Sequence, residues 1–277
     1  MANAQLGTDS SVYGPVRSWR YGLSLGIDPI LARSTCSFNC VYCQLGSIVD
    51  RTLERRIHVP TARVLEDLAA FEGSSCDVLT VSGSGEPTLA ANLGELLAGI
   101  RRRIDRPVVV LTNGTLLVRS EVRHELETAD VVSVKLAAAT EDTFQRISRP
   151  VAGVTLAGVL EGLRVFRRSF PNRLHVQTMI LPANRREAEA IARLVRSIAP
   201  DEVELNAPVR PRPLAWHPVS RGSHDGAPYP ARSLRTLPDD EMERLARVFR
   251  SVSGSRVSLR PARPAAGADS FQYHSDH

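Results

Sequence analysis

Three cysteines within eight residues, Cys36, Cys40 and Cys43 in the run Ser34-Thr-Cys-Ser-Phe-Asn-Cys-Val-Tyr-Cys-Gln-Leu-Gly46, constrain this chain more than any other feature. On one short loop, a C-x3-C-x2-C spacing lets each thiolate take a different iron of a cubane 4Fe-4S cluster. The fourth iron is then left without a protein ligand, as an open chemical site. Two plainer uses compete. A structural zinc site would need Cys76 as its fourth ligand, but zinc draws on paired Cys/His clusters and Cys76 stands alone. A disulfide framework belongs to small secreted chains. This chain has 277 residues, and its opening Met-Ala-Asn-Ala-Gln-Leu-Gly lacks the basic-then-apolar order of a secretory signal.

Beyond the loop, apolar runs of strand length alternate with amphipathic segments of helix length. Strands are expected near Ile30 to Arg33, Asp77 to Ser82, Val108 to Thr112, Val131 to Leu136, Leu174 to Leu181 and Glu202 to Leu205, preceded by an extended lead-in from Tyr13 to Pro29. Asn92 with Glu95 and Asn184 with Glu187 have capping-box spacing, and Thr61 or Pro60 opens a helix whose Val64, Leu65, Leu68 and Ala69 form one stripe. Strands that alternate with covering helices imply parallel pairing through crossovers, and six such units predict an α/β fold, a partial (β/α)6 TIM-like barrel. Reactive groups in such barrels gather at the C-terminal ends of strands, where the cysteine loop falls. The expected division is 1–207 for the barrel with its lead-in, 208–260 for an irregular extension packed on it, with a helix near Asp239 to Ser251 and a strand near Val257 to Arg260, and 261–277 for a flexible tail.

A second motif, Val81-Ser-Gly-Ser-Gly-Glu-Pro-Thr88, follows the second of these strands, and Leu111-Thr-Asn-Gly114 and Val134-Lys-Leu-Ala137 end the next two. The cysteine spacing, with Tyr42 just before the last cysteine, resembles the signature of the radical S-adenosylmethionine (SAM) superfamily, and the glycine-rich turn resembles that family's SAM-binding turn. The likeness implies a 4Fe-4S cluster on Cys36, Cys40 and Cys43, with SAM on its open iron. It also implies SAM contacts from Tyr42, Ser84, Gly85, Glu86, Asn113, Lys135 and Gln177. Glycines in the turn are read as clearance for the ligand. Tyr13-Gly-Pro-Val, Ser24-Leu-Gly-Ile, Ile147-Ser-Arg-Pro150 and Leu205-Asn-Ala-Pro-Val-Arg-Pro211 extend the likeness to the branch of the wyosine tRNA base-forming synthases. Two departures stand out: Ala137 occupies the place of a common aspartate, and no cysteine precedes Cys36 to supply that branch's second cluster.

Of 35 basic residues only Lys135 is a lysine, which singles out its compact, titratable ammonium. Period-two alternation puts Lys135 on one face with Ser133, and Gln177 on one face with His175. We therefore expect Lys135 at the barrel mouth as a catalytic residue, able to reach the carboxylate of SAM or an anionic substrate. Cys76 reads as a buried small hydrophobe. The expected activity is reductive SAM cleavage that starts radical chemistry on a small-molecule substrate, preferred to RNA. The alternatives are wyosine-like tRNA base modification and transfer of a 3-amino-3-carboxypropyl group to a thiol or arsenical. An external electron donor of the flavodoxin or ferredoxin type, a cytoplasmic location and no membrane partner complete the expectation.

Overall fold

The structure, a computed structural model, describes residues 9–221 and 229–261. Eight strands form one sheet in chain order. Strands β1 (Val12–Ser18) and β2 (Gly22–Ile27) pair antiparallel as a hairpin. Strands β3 (Val78–Val81), β4 (Val108–Thr112), β5 (Val131–Lys135), β6 (Arg173–Met179), β7 (Glu202–Asn206) and β8 (Arg256–Leu259) follow, each parallel to the one before from β2 onward. The crossovers carry helices α1 (Thr61–Ala69), α2 (Leu93–Arg103), α3 (Ser120–Leu126), α4 (Glu141–Ser148), α5 (Leu156–Ser169), α6 (Ala188–Ile198) and α7 (Asp239–Ser253).

One face of the sheet is the core. Leu79, Val110, Val132, Val134, Leu174, Val176, Val203 and Leu205 are fully buried against the helices. Alternation leaves the other face to Thr80, Ser133, His175, Gln177 and Glu204, a polar set unusual for a strand interior. That face is concave. In a flat sheet β2 and β7, five strands apart, would lie about 24 Å from each other. Instead Arg20, in the turn leading into β2, donates from Nη1 to Oε2 of Glu204 in β7 at 2.8 Å. The sheet is thus curled into an open half-barrel with a polar hollow.

Several expectations change. The first barrel strand is Gly22–Ile27, not a segment near Ile30 to Arg33. Its Leu25 and Ile27 alternate correctly, but glycines mask the run; Gly26 is required because a Cβ there would stand 2.2 Å from the Tyr13 ring. Neither capping box forms. Asn92 donates instead to Val59 O and Thr61 Oγ1, tying the starts of α2 and α1 together. Asn184 donates to Ala137 O and Met179 O, and Glu187 accepts from Ala139 N and the Thr140 and Thr143 hydroxyls. In the α1 stripe Ala69 is exposed, while Leu65 packs under Gly99 of α2. β8 joins the main sheet as a seventh parallel strand. The described residues between β7 and α7 are irregular, apart from a two-residue ladder of Arg212–Pro213 with Ala231–Arg232 and a short 3-10 turn at Pro218–Ser220. All of the expected tail beyond Pro261 lies outside the described residues.

Candidate active site

The loop that follows β2 is held on the C-terminal rim of the half-barrel by its own backbone. Thr35 bridges to Gly85 beyond β3, and Thr35–Cys36 pairs in parallel with Asp50–Arg51. Thr35 N donates to Ser84 O at 3.1 Å and Glu86 N to Thr35 O at 2.9 Å, so the cysteine loop and the glycine-rich turn are stitched strand to strand. This explains Gly85 differently from ligand clearance: a Cβ there would stand 1.8 Å from the Thr35 carbonyl oxygen. Gly83, with φ +136°, is required by Asp28, whose carboxyl carbon would lie 2.3 Å from a Cβ.

Asp28, at the end of β2, was not singled out from sequence and is the hub of this corner. Fully buried, it accepts from Ile30 N and Leu31 N on one oxygen and from Ser84 N, Ser84 Oγ and Arg221 Nη1 on the other. Arg221 also donates to Ser10 O at 2.6 Å and lies over the Tyr13 ring, which ties the segment after β7 to the loop. The Asp28-Pro29 pair closing an apolar strand was the available signal.

Glu86 is equally committed. Its Oε1 accepts from Thr88 N, Thr88 Oγ1 and Thr112 Oγ1, and its Oε2 from Asn113 N at 2.7 Å. Three donors crowd Oε1 and one reaches Oε2, so most of the carboxylate is spent inside the protein, and beyond it the turn presents backbone carbonyls as acceptors. Asn113 is occupied as well: Oδ1 accepts from Thr115 N and Oγ1, and Nδ2 donates to Ser37 Oγ at 2.9 Å and to Cys36 Sγ at 3.5 Å. Its side chain thus faces the cysteine loop.

Cys36, Cys40 and Cys43 are free thiols, Cys40 buried and the other two half-buried. Burial pushes Cys40 up to about 11, offset in part by Lys135, and burial with Glu86 and Cys40 raises Cys36 further. The three thiols feel one another electrostatically, and Tyr42, against Cys40, is raised by burial and by all three. Buried thiolates persist only beside compensating cations. Among the described residues no three His, Cys, Asp or Glu side chains converge on a single metal ion. A cubane cluster asks for something else, three thiolates on three different irons, and the donor set fits that group. Cys76 precedes β3 at the opposite end of the strand from the loop, in the core, where burial raises its thiol.

Lys135 ends β5 on the same rim. Its ammonium acts on Cys40, and no hydrogen bond or ion pair joins it to any described residue. Gln177 lies beside it in register on β6, 7% exposed, and its side-chain amide likewise makes no hydrogen bond to any described residue. In register with Gln177 on the next strand, the hollow holds a second group missed from sequence. Glu204 accepts from Arg20, Tyr21, Ser133 and His175. Burial would raise its carboxyl, but Arg20 and the hydrogen bonds from His175 and Tyr21 outweigh it and hold the group at about 2. A charged residue at an inward position between Val203 and Leu205 was the signal.

Comparison with known proteins places these features. Residues 33–195 match the radical SAM superfamily. A UPF0026 protein of Synechocystis is 47% identical over 260 residues, 92% of this chain and 98% of that protein. A probable GTP 3′,8-cyclase of Saccharolobus solfataricus is 26% identical over 206 residues, 73% of this chain and 61% of that protein. Among solved structures, SuiB of Streptococcus suis bound to its precursor peptide SuiA superposes with a TM-score of 0.63 at 13% identity, covering 87% of this chain. Bound to S-adenosylmethionine it gives 0.60 at 11% identity over 83% of this chain. The chain spans 49% of SuiB, and the likeness is one of fold. No helix among the described residues is long and apolar enough to cross a membrane.

Proposed function

This chain belongs to the radical SAM superfamily and is a radical SAM enzyme with a 4Fe-4S cluster and SAM as cofactors, and from that premise we propose that it opens SAM at the rim to start radical chemistry on a small molecule held in the polar hollow. Cys36, Cys40 and Cys43 would hold the cluster, and the Ser84–Glu86 turn would present backbone to the methionine end of SAM. The chemistry these groups supply when bound is one-electron reductive cleavage of a carbon–sulfur bond of SAM. The observation that carries the reading is the meeting of three free thiols, one buried and two half-buried, with a Lys135 ammonium and a Gln177 amide that have no hydrogen-bond partner among the described residues, on one rim. Lys135 would neutralise the carboxylate of SAM or an anionic substrate, and Gln177 would orient the neighbouring group. Asp28 and Glu86, with five and four donors, hold the two loops in place.

A small substrate suits the size and polarity of a hollow already partly filled by Arg20 and Tyr21, and the likeness to a GTP cyclase points the same way. The finer motif likeness to the wyosine branch supports a shared scaffold. Ala137 in place of an aspartate supports a different reaction. The test is anaerobic reconstitution with iron and sulfide, followed by dithionite and SAM. 5′-Deoxyadenosine is expected. 5′-Methylthioadenosine would instead support 3-amino-3-carboxypropyl transfer, and turnover only on added tRNA would move the substrate to RNA.

A further inference from the structure

Arg20 is bonded through only part of its guanidinium. The rings of its two sequence neighbours flank the group, with Cζ 5.0 Å from the Tyr21 ring centroid and 5.9 Å from that of Trp19. Nη1 donates to Glu204 Oε2 at 2.8 Å. The other edge is open. Nε is buried with no hydrogen-bond partner, and Nη2, beside it on the same edge, also has none among the described residues but is not sealed from solvent. A turn residue that served only to fasten the hairpin to β7 would need Nη1 alone. A buried N–H without an acceptor costs free energy until one arrives. The parallel N–H pair on a guanidinium edge matches the two oxygens of a carboxylate or a phosphate.

The charges around this edge call for the same group. Lys135, Gln177 and Glu204 stand in register on β5, β6 and β7. Along this row Glu204 is the one acid, whereas Arg20 and Lys135 bring two cations. Glu204 is fully engaged, accepting from Tyr21, Ser133 and His175 besides Arg20. Its charge balances one cation, and Lys135 pairs with no acid among the described residues. One more negative charge balances the row, and it belongs where a donor edge already lacks its acceptor.

We propose that the hollow takes a small substrate carrying an oxyanion, a carboxylate or a phosphate, and that the Nε–Nη2 edge of Arg20 binds this group bidentately. The inference rests on the reading of the hollow as the substrate site. Arg20 precedes the N-terminal end of β2 and the cysteine loop leaves its C-terminal end, so an oxyanion on Arg20 directs the rest of the substrate toward the rim. Lys135 supplies the second cation from the rim side. A substrate without an acidic group would leave the Nε donor unmet.

The experiment measures binding of inorganic phosphate and of malonate, each against chloride at equal ionic strength, to the oxidised, reconstituted protein with SAM present. The two arms separate phosphate from carboxylate, and at least one anion should bind. Arg20→Lys keeps a cation for Glu204 but loses the planar edge, so binding should weaken about 10-fold or more with the unfolding midpoint close to wild type. Glu204→Gln moves the opposite way. With its acid gone, Arg20 lacks a counter-ion, so the same anion should bind about 10-fold more tightly and should raise the unfolding midpoint of this variant more than that of wild type. That sign keeps the test decisive if Arg20→Lys does not fold. Arg250→Gln, near the C-terminal end of α7, should bind as wild type does. No binding above chloride in wild type, equal affinity in Arg20→Lys, unchanged or weaker binding in Glu204→Gln, or release of the anion by SAM would each overturn the anchor. Anion binding is read without turnover. Wild type that binds the anion but does not cleave SAM with dithionite would sink the functional reading and leave the anchor standing, and cleavage without anion binding would do the reverse.

Discussion

On the concave face Glu204 has four donors around its carboxylate, whereas Gln177, in register with it on the neighbouring strand, and Lys135, in register one strand further on, have no side-chain hydrogen-bond partner among the described residues. Both groups are polar side chains on the concave face of adjoining strands; Gln177 is nearly as buried as Glu204, and Lys135 is half-buried. Satisfaction separates them. A saturated buried carboxylate is a fastening, here between the β1–β2 turn and β7 across the open side of the sheet. Lys135 and Gln177 spend no side-chain hydrogen bond on the described residues, and their polar atoms are not buried, which leaves both open to a ligand.

The sharpest way to break that comparison is at the thiols. Cys36→Ala, Cys40→Ala or Cys43→Ala should each abolish SAM cleavage and the binding of about four irons, while Cys76→Ala, in the core, keeps both. Iron loss in the Cys76 variant would place the ligands elsewhere. Next in size is Lys135→Met, expected to lower turnover about 100-fold with unfolding midpoint and iron content unchanged, because the ammonium fastens nothing in the protein. Lys135→Arg should restore little, since the guanidinium is longer and planar. A destabilised Lys135→Met with normal turnover would make the rim another fastening.

How much of this was legible in the sequence follows the same division. Cysteine spacing is local, and so are the β-branched runs that gave β3 to β7 nearly to the residue. Lys135 stood out by being alone of its kind. What escaped is long-range. Arg20 and Glu204 meet across 184 positions, and Arg221 and Asp28 across 193, and no window of sequence shows either pair. Gly85 was legible as a site of close approach, but the approaching group is the Thr35 carbonyl. Asn92 and Asn184 had the spacing of helix caps and are instead cross-links between elements. β2 was hidden because glycines that make room for Tyr13 and Asp77 weaken its strand signal.

The Glu204 fastening gives the third test. Its carboxyl, held at about 2 against a usual 4.5, contributes stability that is complete above 4.5 and is lost as the pH falls from there toward 2. The shift corresponds to about 3 kcal/mol. Glu204→Gln should therefore lower stability by about 3 kcal/mol at pH 7, leaving Arg20 buried beside a neutral amide, and the gap from wild type should shrink to about half by pH 3 and close only as the pH falls below 2. Iron content should not change. A constant gap across this pH range would mean that packing of the turn, rather than the charge, is what Glu204 supplies.

The smallest effect is expected at Gln177, and it tests the comparison most directly. Gln177 is 7% exposed, shares its register with Lys135 on one side and Glu204 on the other, and spends neither its amide oxygen nor its nitrogen on the protein. If it were a fastening like Glu204, removing its polar atoms would cost stability. As a ligand-facing group its amide fastens nothing among the described residues, so removing it costs the free protein no hydrogen bond. Gln177→Leu, close in volume and without polar atoms, should thus leave the unfolding free energy within about 0.5 kcal/mol of wild type. The same substitution removes one or two hydrogen bonds to whatever occupies the rim, each worth about 1 kcal/mol, so SAM or substrate should bind roughly 10-fold more weakly. Denaturant unfolding of the free protein and calorimetric titration with SAM separate the two readings. A loss of stability with unchanged SAM affinity and unchanged turnover would put Gln177 with Glu204 among the fastenings, and would confine the reactive rim to Lys135 and the thiols.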